Sequence, residues 1–158
     1  MKQLNLDKIK LTLGRVPEEF ENLVAQVGFP SGFSYENGMT VAEVAAINEF
    51  GAPAAKVPAR PFIKPTVTNY KDDWVKQVAS DIPRVVLGQQ TAFDTLEKLG
   101  RVAAMNMKEQ ITNTNYPPNA PSTVAKKGFN APLRDTFYMR DTVQNAVNKA
   151  GSDFTKGS

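Results

Sequence analysis

The sequence predicts one domain that combines several helices with a small amount of sheet. Three observations predict it: segments whose apolar residues recur at helical spacing, an Asn-Gly turn within an extended stretch, and a short alternating segment near the C-terminus. The 158 residues are 41% hydrophobic and 22% charged, close to globular averages and enough for a real core. The expected organisation is a single domain over residues 1–150 and a flexible tail over 151–158.

Taken in order, a short strand or helix is expected before Gly14. Pro17 suits the first turn of a helix, and Glu18, Glu19 and Glu21 suit its positive end. Phe20, Leu23, Val24 and Val27 then give one apolar helical face. The stretch QVGFPSGFSYENG reads as extended chain with turns at 30–32 and 37–38, consistent with a hairpin or sheet edge. Thr40 and Glu43 form an S/T-x-x-E capping box for a helix over TVAEVAAINEFG, which Gly51 is placed to end in a left-handed cap.

Val67, Tyr70, Trp74 and Val78 mark an amphipathic helix that ends near Pro83. RVVLGQQ is a short apolar piece closed by Gly88. Phe93, Leu96, Gly100, Ala103, Met107 and Ile111 mark another helix, with Thr91 as N-cap. Gly100, Ala103 and Ala104 predict close approach of a neighbouring backbone, and Met105 and Met107 read as core or interface filler. STVAKKG offers one helical turn, a short helix starts at about Asp135, and Val143–Val147 alternates as a strand does.

Two proline-rich stretches stand out. In NEFGAPAAKVPARPFIKP, Pro53, Pro58, Pro61 and Pro65 stiffen the chain and bias the preceding residues to extended shapes. This segment is either a rigid corner that delivers Phe62 and Ile63 to the core or a ridge that offers Arg60 to a partner. The second stretch, NTNYPPNAPST at 113–123, reads as an ordered loop.

The chain contains neither cysteine nor histidine. Disulfides, thiolate zinc sites, cysteine nucleophiles and histidine-based triads are therefore excluded. Phosphate-binding glycine loops and nucleophile elbows are missing too. Asp72 and Asp73 are adjacent and point apart, which suits a solvated face better than a metal site. No catalytic residue, cofactor or metal ligand is expected, and the chain is not read as an enzyme. No apolar run reaches the roughly 18 residues of a membrane span, and no signal-peptide centre is present at the start, so synthesis in the cytoplasm is expected.

The net charge of +3 is uneven: residues 1–100 carry 11 basic against 12 acidic side chains, and residues 101–158 carry 8 against 4. A basic C-terminal third allows one function class, a nucleic-acid-binding accessory protein with Lys126, Lys127, Arg134 and Arg140 on phosphates.

GMTVAEVAAI followed by NEFGAPAAKVPARPFIKP, then LGRVAAMNMKEQI and YPPNAPSTVAKKGFNAPLRDT, resembles the signature of a family of tailed-phage neck and tail-completion proteins. The resemblance covers roughly residues 25–145 in matching order. Two departures are visible: AAK is inserted between Pro53 and Val57, and Phe137 stands where such sequences commonly carry a glycine after Asp-Thr. The resemblance implies an α+β fold, with a small antiparallel sheet, helices packed on it and long proline-rich loops. It implies a structural virion protein that forms a ring, most often six-fold, at the head–tail junction. Its partners would be further copies of itself, the portal-side connector or adaptor, and tail tube or tail terminator proteins. DNA would pass through the lumen without sequence-specific binding, and no membrane is involved. The candidate contact residues are then Arg60, Phe62, Lys64, Tyr116, Asn119, Lys126, Lys127 and Arg134.

Overall fold

The computed structural model describes residues 18–113 and 137–154. They form a two-stranded antiparallel sheet with helices packed on it. In chain order these are β1 (Leu23–Gly28), α1 (Val41–Phe50), α2 (Ile63–Val86), α3 (Ala92–Asn113), α4 (Tyr138–Asp141) and β2 (Gln144–Lys149). Long α3 is the centre of the arrangement, packing against α2 and against both strands. The expectations for residues before Gly14 and for NTNYPPNAPST and STVAKKG lie outside the described residues.

The helix expected from Pro17 is corrected. Among the described residues, only a helical turn at 18–20 is present, and Leu23–Gly28 is a strand. The change comes at Asn22, whose φ of 63° is left-handed and interrupts a helix. Beyond it, Leu23, Ala25 and Val27 share one face, and tertiary pairing with β2 overrides a pattern that is also compatible with a helix. The register places Val27 opposite Asn145 and Ala25 opposite Val147, and the Ala150 N–H closes the sheet on the Asn22 carbonyl at 2.7 Å. The strand expected around Val143–Val147 is present as Gln144–Lys149.

The turn segment closes as its chemistry suggests. The Tyr35 N–H donates to the Met39 carbonyl at 2.8 Å, the Gly38 N–H donates to the Tyr35 carbonyl at 2.9 Å, and Ser34 bridges Thr40. Thr40 then caps α1: its hydroxyl oxygen accepts the Glu43 N–H at 3.2 Å, and the Glu43 carboxylate accepts the Thr40 N–H at 2.8 Å. Gly51 ends α1 with φ 76°, but its ψ of 174° is extended, so the cap is not the left-handed one expected.

Helix α2 does not stop near Pro83. It runs through this residue to Val86, with Pro83 inside its final turn. A proline there removes one N–H from the ladder, while its own carbonyl still accepts the Leu87 N–H at 3.0 Å. RVVLGQQ is thus the helix end and its exit, with Gly88 at φ 67°. Helix α3 starts with the expected cap: the Thr91 hydroxyl oxygen accepts the Asp94 N–H at 3.0 Å and the Asp94 carboxylate accepts the Thr91 N–H at 3.1 Å.

The core joins Val41 and Ala45 of α1, Phe62, Ala104, Met107 and Ile111 of α3, and Met139 and Val143. Phe29 packs edge-on against Phe62 with ring centroids 5.9 Å apart. At Gly100 the sheet comes so near that an added Cβ would lie 3.0 Å from the Asn145 Cβ; the near neighbour is this side chain and not the backbone expected. Met107 is core, whereas Met105 is exposed. Between α2 and α3, the buried Asp81 carboxylate accepts from the Lys98 ammonium at 2.9 Å, and the Trp74 indole N–H donates to Asn106 at 3.0 Å.

Candidate functional site

The corner between α1 and α2 is held by several specific hydrogen bonds and one close backbone approach. The stretch from Phe50 to Phe62 contains no Ser, Thr, Asp or Asn, so α2 starts without a local side-chain cap. The first free N–H groups of a helix need acceptors. Glu49, on the last turn of α1, supplies them. Its Oε2 accepts the Phe62 and Ile63 N–H groups at 2.7 and 2.8 Å, and its Oε1 accepts that of Lys64 at 3.0 Å. A carboxylate at this position also meets the positive end of the α2 dipole. Glu49 is 8% exposed, a burial that an acidic side chain tolerates when its oxygens are bonded.

Two further features fix the corner. The Arg60 N–H donates to the Asn48 carbonyl at 2.6 Å, which ties the second limb to the end of α1. Gly51 lies so near this limb that a Cβ would fall 2.9 Å from the Ala59 nitrogen and 3.0 Å from the Val57 oxygen. Both its positive φ and this crowding require glycine. The inserted AAK is looped out: Pro53–Ala55 makes a short 3-10 turn, and Ala52 and Val57 bond to each other at 3.0 and 3.1 Å. The chain therefore leaves the loop where it entered.

Among the proposed contact residues, Phe62 is fully buried in the core and Arg60 is 7% exposed, while Lys64 is exposed. Burial pulls the Arg60 guanidinium below its ordinary pKa range. Arg60 and Phe62 thus act as parts of the corner in this chain. Lys64 shares the clamped turn but keeps its side chain in solvent. Tyr116, Asn119, Lys126, Lys127 and Arg134 lie outside the described residues. Of the basic residues of the C-terminal third, Arg140 is described: its Nε donates to Asp141 at 2.7 Å and its guanidinium lies 4.2 Å from the Phe137 ring centroid. Phe137 itself has φ 55° and ψ 9°, a left-handed conformation that favours glycine.

An apolar groove of about 220 Å³ lies between β1 and α2, floored by α3. Ala25 and Val27 line it from the strand, Ile63, Val67 and Trp74 from α2, and Leu99, Ala103 and Met107 from below. Val67, expected on the buried face of its helix, is 46% exposed because it opens into this groove. Phe50, at the end of α1, is 78% exposed.

Among the described residues, no group of acidic side chains could hold a metal ion, and no helix is long and apolar enough to cross a membrane. Asp72 and Asp73 are exposed, and Asp73 pairs with Lys76 at 3.2 Å. Comparison with models of protein families, with curated proteins and with solved structures finds no match.

Sequence reasoning missed Glu49 and the groove. A signal for Glu49 was present: α2 follows a long stretch with no capping side chain, and Glu49 is the nearest acidic group before it. The groove had no such signal, because it depends on how far apart β1 and α2 sit.

Proposed function

We propose that this chain is a structural virion protein of a tailed phage, forming a ring at the head–tail junction and performing no catalysis. The observation that carries the reading is the corner built from NEFG and PARPF. The residues that make up the phage-like signature are the ones the geometry constrains: Glu49 bonds three amides, Gly51 has no room for a side chain, and Phe62 is fully buried. The left-handed Phe137 adds support, since it stands where the resembled proteins commonly have glycine.

On this reading the rigid corner presents a fixed edge to the neighbouring subunit, with Lys64 and Phe50 on its outer side. Because the stiff proline-rich corner loses little conformational entropy when docked, it suits repeated contacts in a ring. The work is mechanical: copies of the chain match connector to tail tube around a lumen that passes DNA.

Particles assembled without this protein test the proposal. Full heads beside intact but unattached tails mean that the ring joins the two, and malformed tails mean that it completes the tail. Normally joined, infectious particles would remove the proposal.

A further inference from the structure

Asn37 and Gly38 make the one Asn-Gly pair in the chain, and both are exposed at the turn before α1. An asparagine followed by glycine carries its own reagent, because the glycine amide nitrogen has no Cβ beside it to hinder its approach to the asparagine Cγ. In the reaction that nitrogen bonds to Cγ, the bond from Cγ to the carboxamide nitrogen breaks, and the glycine amide proton leaves with that nitrogen as ammonia. Water then opens the cyclic imide at either carbonyl, giving aspartate or isoaspartate.

In this turn both reacting groups are occupied. The Gly38 N–H donates to the Tyr35 carbonyl at 2.9 Å, and an imide nitrogen has no hydrogen with which to keep that bond. The Asn37 Oδ1 accepts the Met39 N–H at 3.1 Å, a bond the carboxamide gives up in turning onto the Gly38 nitrogen. The Tyr35 N–H donates to the Met39 carbonyl at 2.8 Å and closes the turn around the pair. Packing adds no shield, since a Cβ at Gly38 would meet nothing within 4 Å. The hydrogen bonds alone hold the pair apart, and water reaches it freely.

The consequence extends to α1. Ser34 bridges Thr40 behind the turn, and Thr40 caps the helix. Aspartate keeps the length of the main chain and an oxygen for the Met39 N–H. Isoaspartate routes the main chain through the former side chain, which lengthens it by one carbon inside the bonded turn.

We propose that Asn37 is a self-modifying site gated by its turn. It converts to aspartate and isoaspartate when the turn opens, and the isoaspartate form loosens the start of α1. This assignment stands independently of any phage function.

The full chain, folded and unfolded in guanidinium chloride, is incubated at mildly alkaline pH, and conversion is read by peptide mapping that resolves isoaspartate. Asn37 is expected to convert before the other asparagines in the unfolded chain, and roughly tenfold more slowly when folded, as the loss of about one net hydrogen bond requires. Equal rates in the two states, or no conversion at Asn37 in the unfolded chain, would overturn the proposal. Hydrogen exchange at the Gly38 amide reads the opening separately: protection is expected, and exchange at the rate of free peptide would remove the gate. The purified isoaspartate form and Asn37→Asp are then melted beside the original chain. A lower melt for the isoaspartate form with Asn37→Asp nearly unchanged is expected; an unchanged melt, or an equal drop in both, would overturn the link to α1.

Discussion

The Glu49 carboxylate accepts the Phe62 N–H at 2.7 Å, joining the last turn of one helix to the first residue before the next. This contact converts a proline-rich stretch into a fixed angle. Glu49 also holds the Ile63 and Lys64 amides, so removing it orphans three donors at a buried helix start. Glu49→Ala is expected to cost roughly 2–4 kcal/mol, because each unsatisfied buried group carries its own desolvation penalty. Glu49→Gln keeps an acceptor oxygen but loses the charge, and is expected to cost about half as much. Urea unfolding of both variants measures the difference; a Glu49→Gln variant as stable as wild type would show that charge contributes nothing at this cap.

Gly51→Ala meets two obstacles, a left-handed φ of 76° and a Cβ position 2.9 Å from the Ala59 nitrogen. The expected loss is about 2 kcal/mol or more, since the first obstacle alone costs roughly 1–2 kcal/mol. Gly38→Ala, at φ 84° with open space around it, is expected to lose only the conformational part. Thermal melts of the two side by side separate crowding from backbone strain.

Core and rim of the corner are separable by paired assays. Phe62→Ala removes a fully buried ring packed on Phe29 and is expected to destabilise the fold by about 3–5 kcal/mol. Arg60→Ala is expected to lower the melt as well, because the side chain is 7% exposed. Lys64→Glu is expected to leave the melt unchanged and to weaken subunit association, read by light scattering. A lowered melt for Lys64→Glu would assign this side chain to the fold instead.

The two helix caps predict an acid dependence. Bonds from the Thr40 backbone and hydroxyl hold the Glu43 carboxyl below its ordinary pKa, and bonds from Thr91 do the same for Asp94. A carboxyl with a lowered folded-state pKa contributes stability above its unfolded value, and that contribution is lost as pH falls through the folded value. The unfolded values are about 4.3 for Glu and about 3.9 for Asp. A Thr40→Ala, Thr91→Ala double variant should therefore melt lower than wild type at pH 7, with the gap narrowing below about pH 4. A gap that stays constant down to pH 2 would mean that the carboxylates are not what the threonines stabilise.

Local chemistry was legible in the sequence wherever one segment determines its own shape. Both caps follow from side chains three residues apart, and the small Gly100 marks the point where β2 comes near. The misread pieces depend on distant partners. Leu23–Gly28 carries apolar residues that fit a helix or a strand, and only its pairing with Gln144–Lys149 decides between them. Pro83 ends many helices, but in a final turn it sacrifices a single N–H and α2 passes through. Within the corner, the rigid-elbow reading of PARPF was accessible from its prolines. The anchor was not, because Glu49 acts on an amide thirteen positions further along the chain. The groove is legible from neither propensity nor spacing, since it is the space left between elements brought together by the tertiary fold.

The central claim, that this chain is a ring-forming part of a phage head–tail junction, is tested most directly by imaging purified particles. Cryo-electron microscopy at the junction should show a closed ring of copies, each fitted by α3 with the β1–β2 sheet on one side and α2 on the other. Particles that contain none of this chain, or that carry it elsewhere than the junction, would contradict the account.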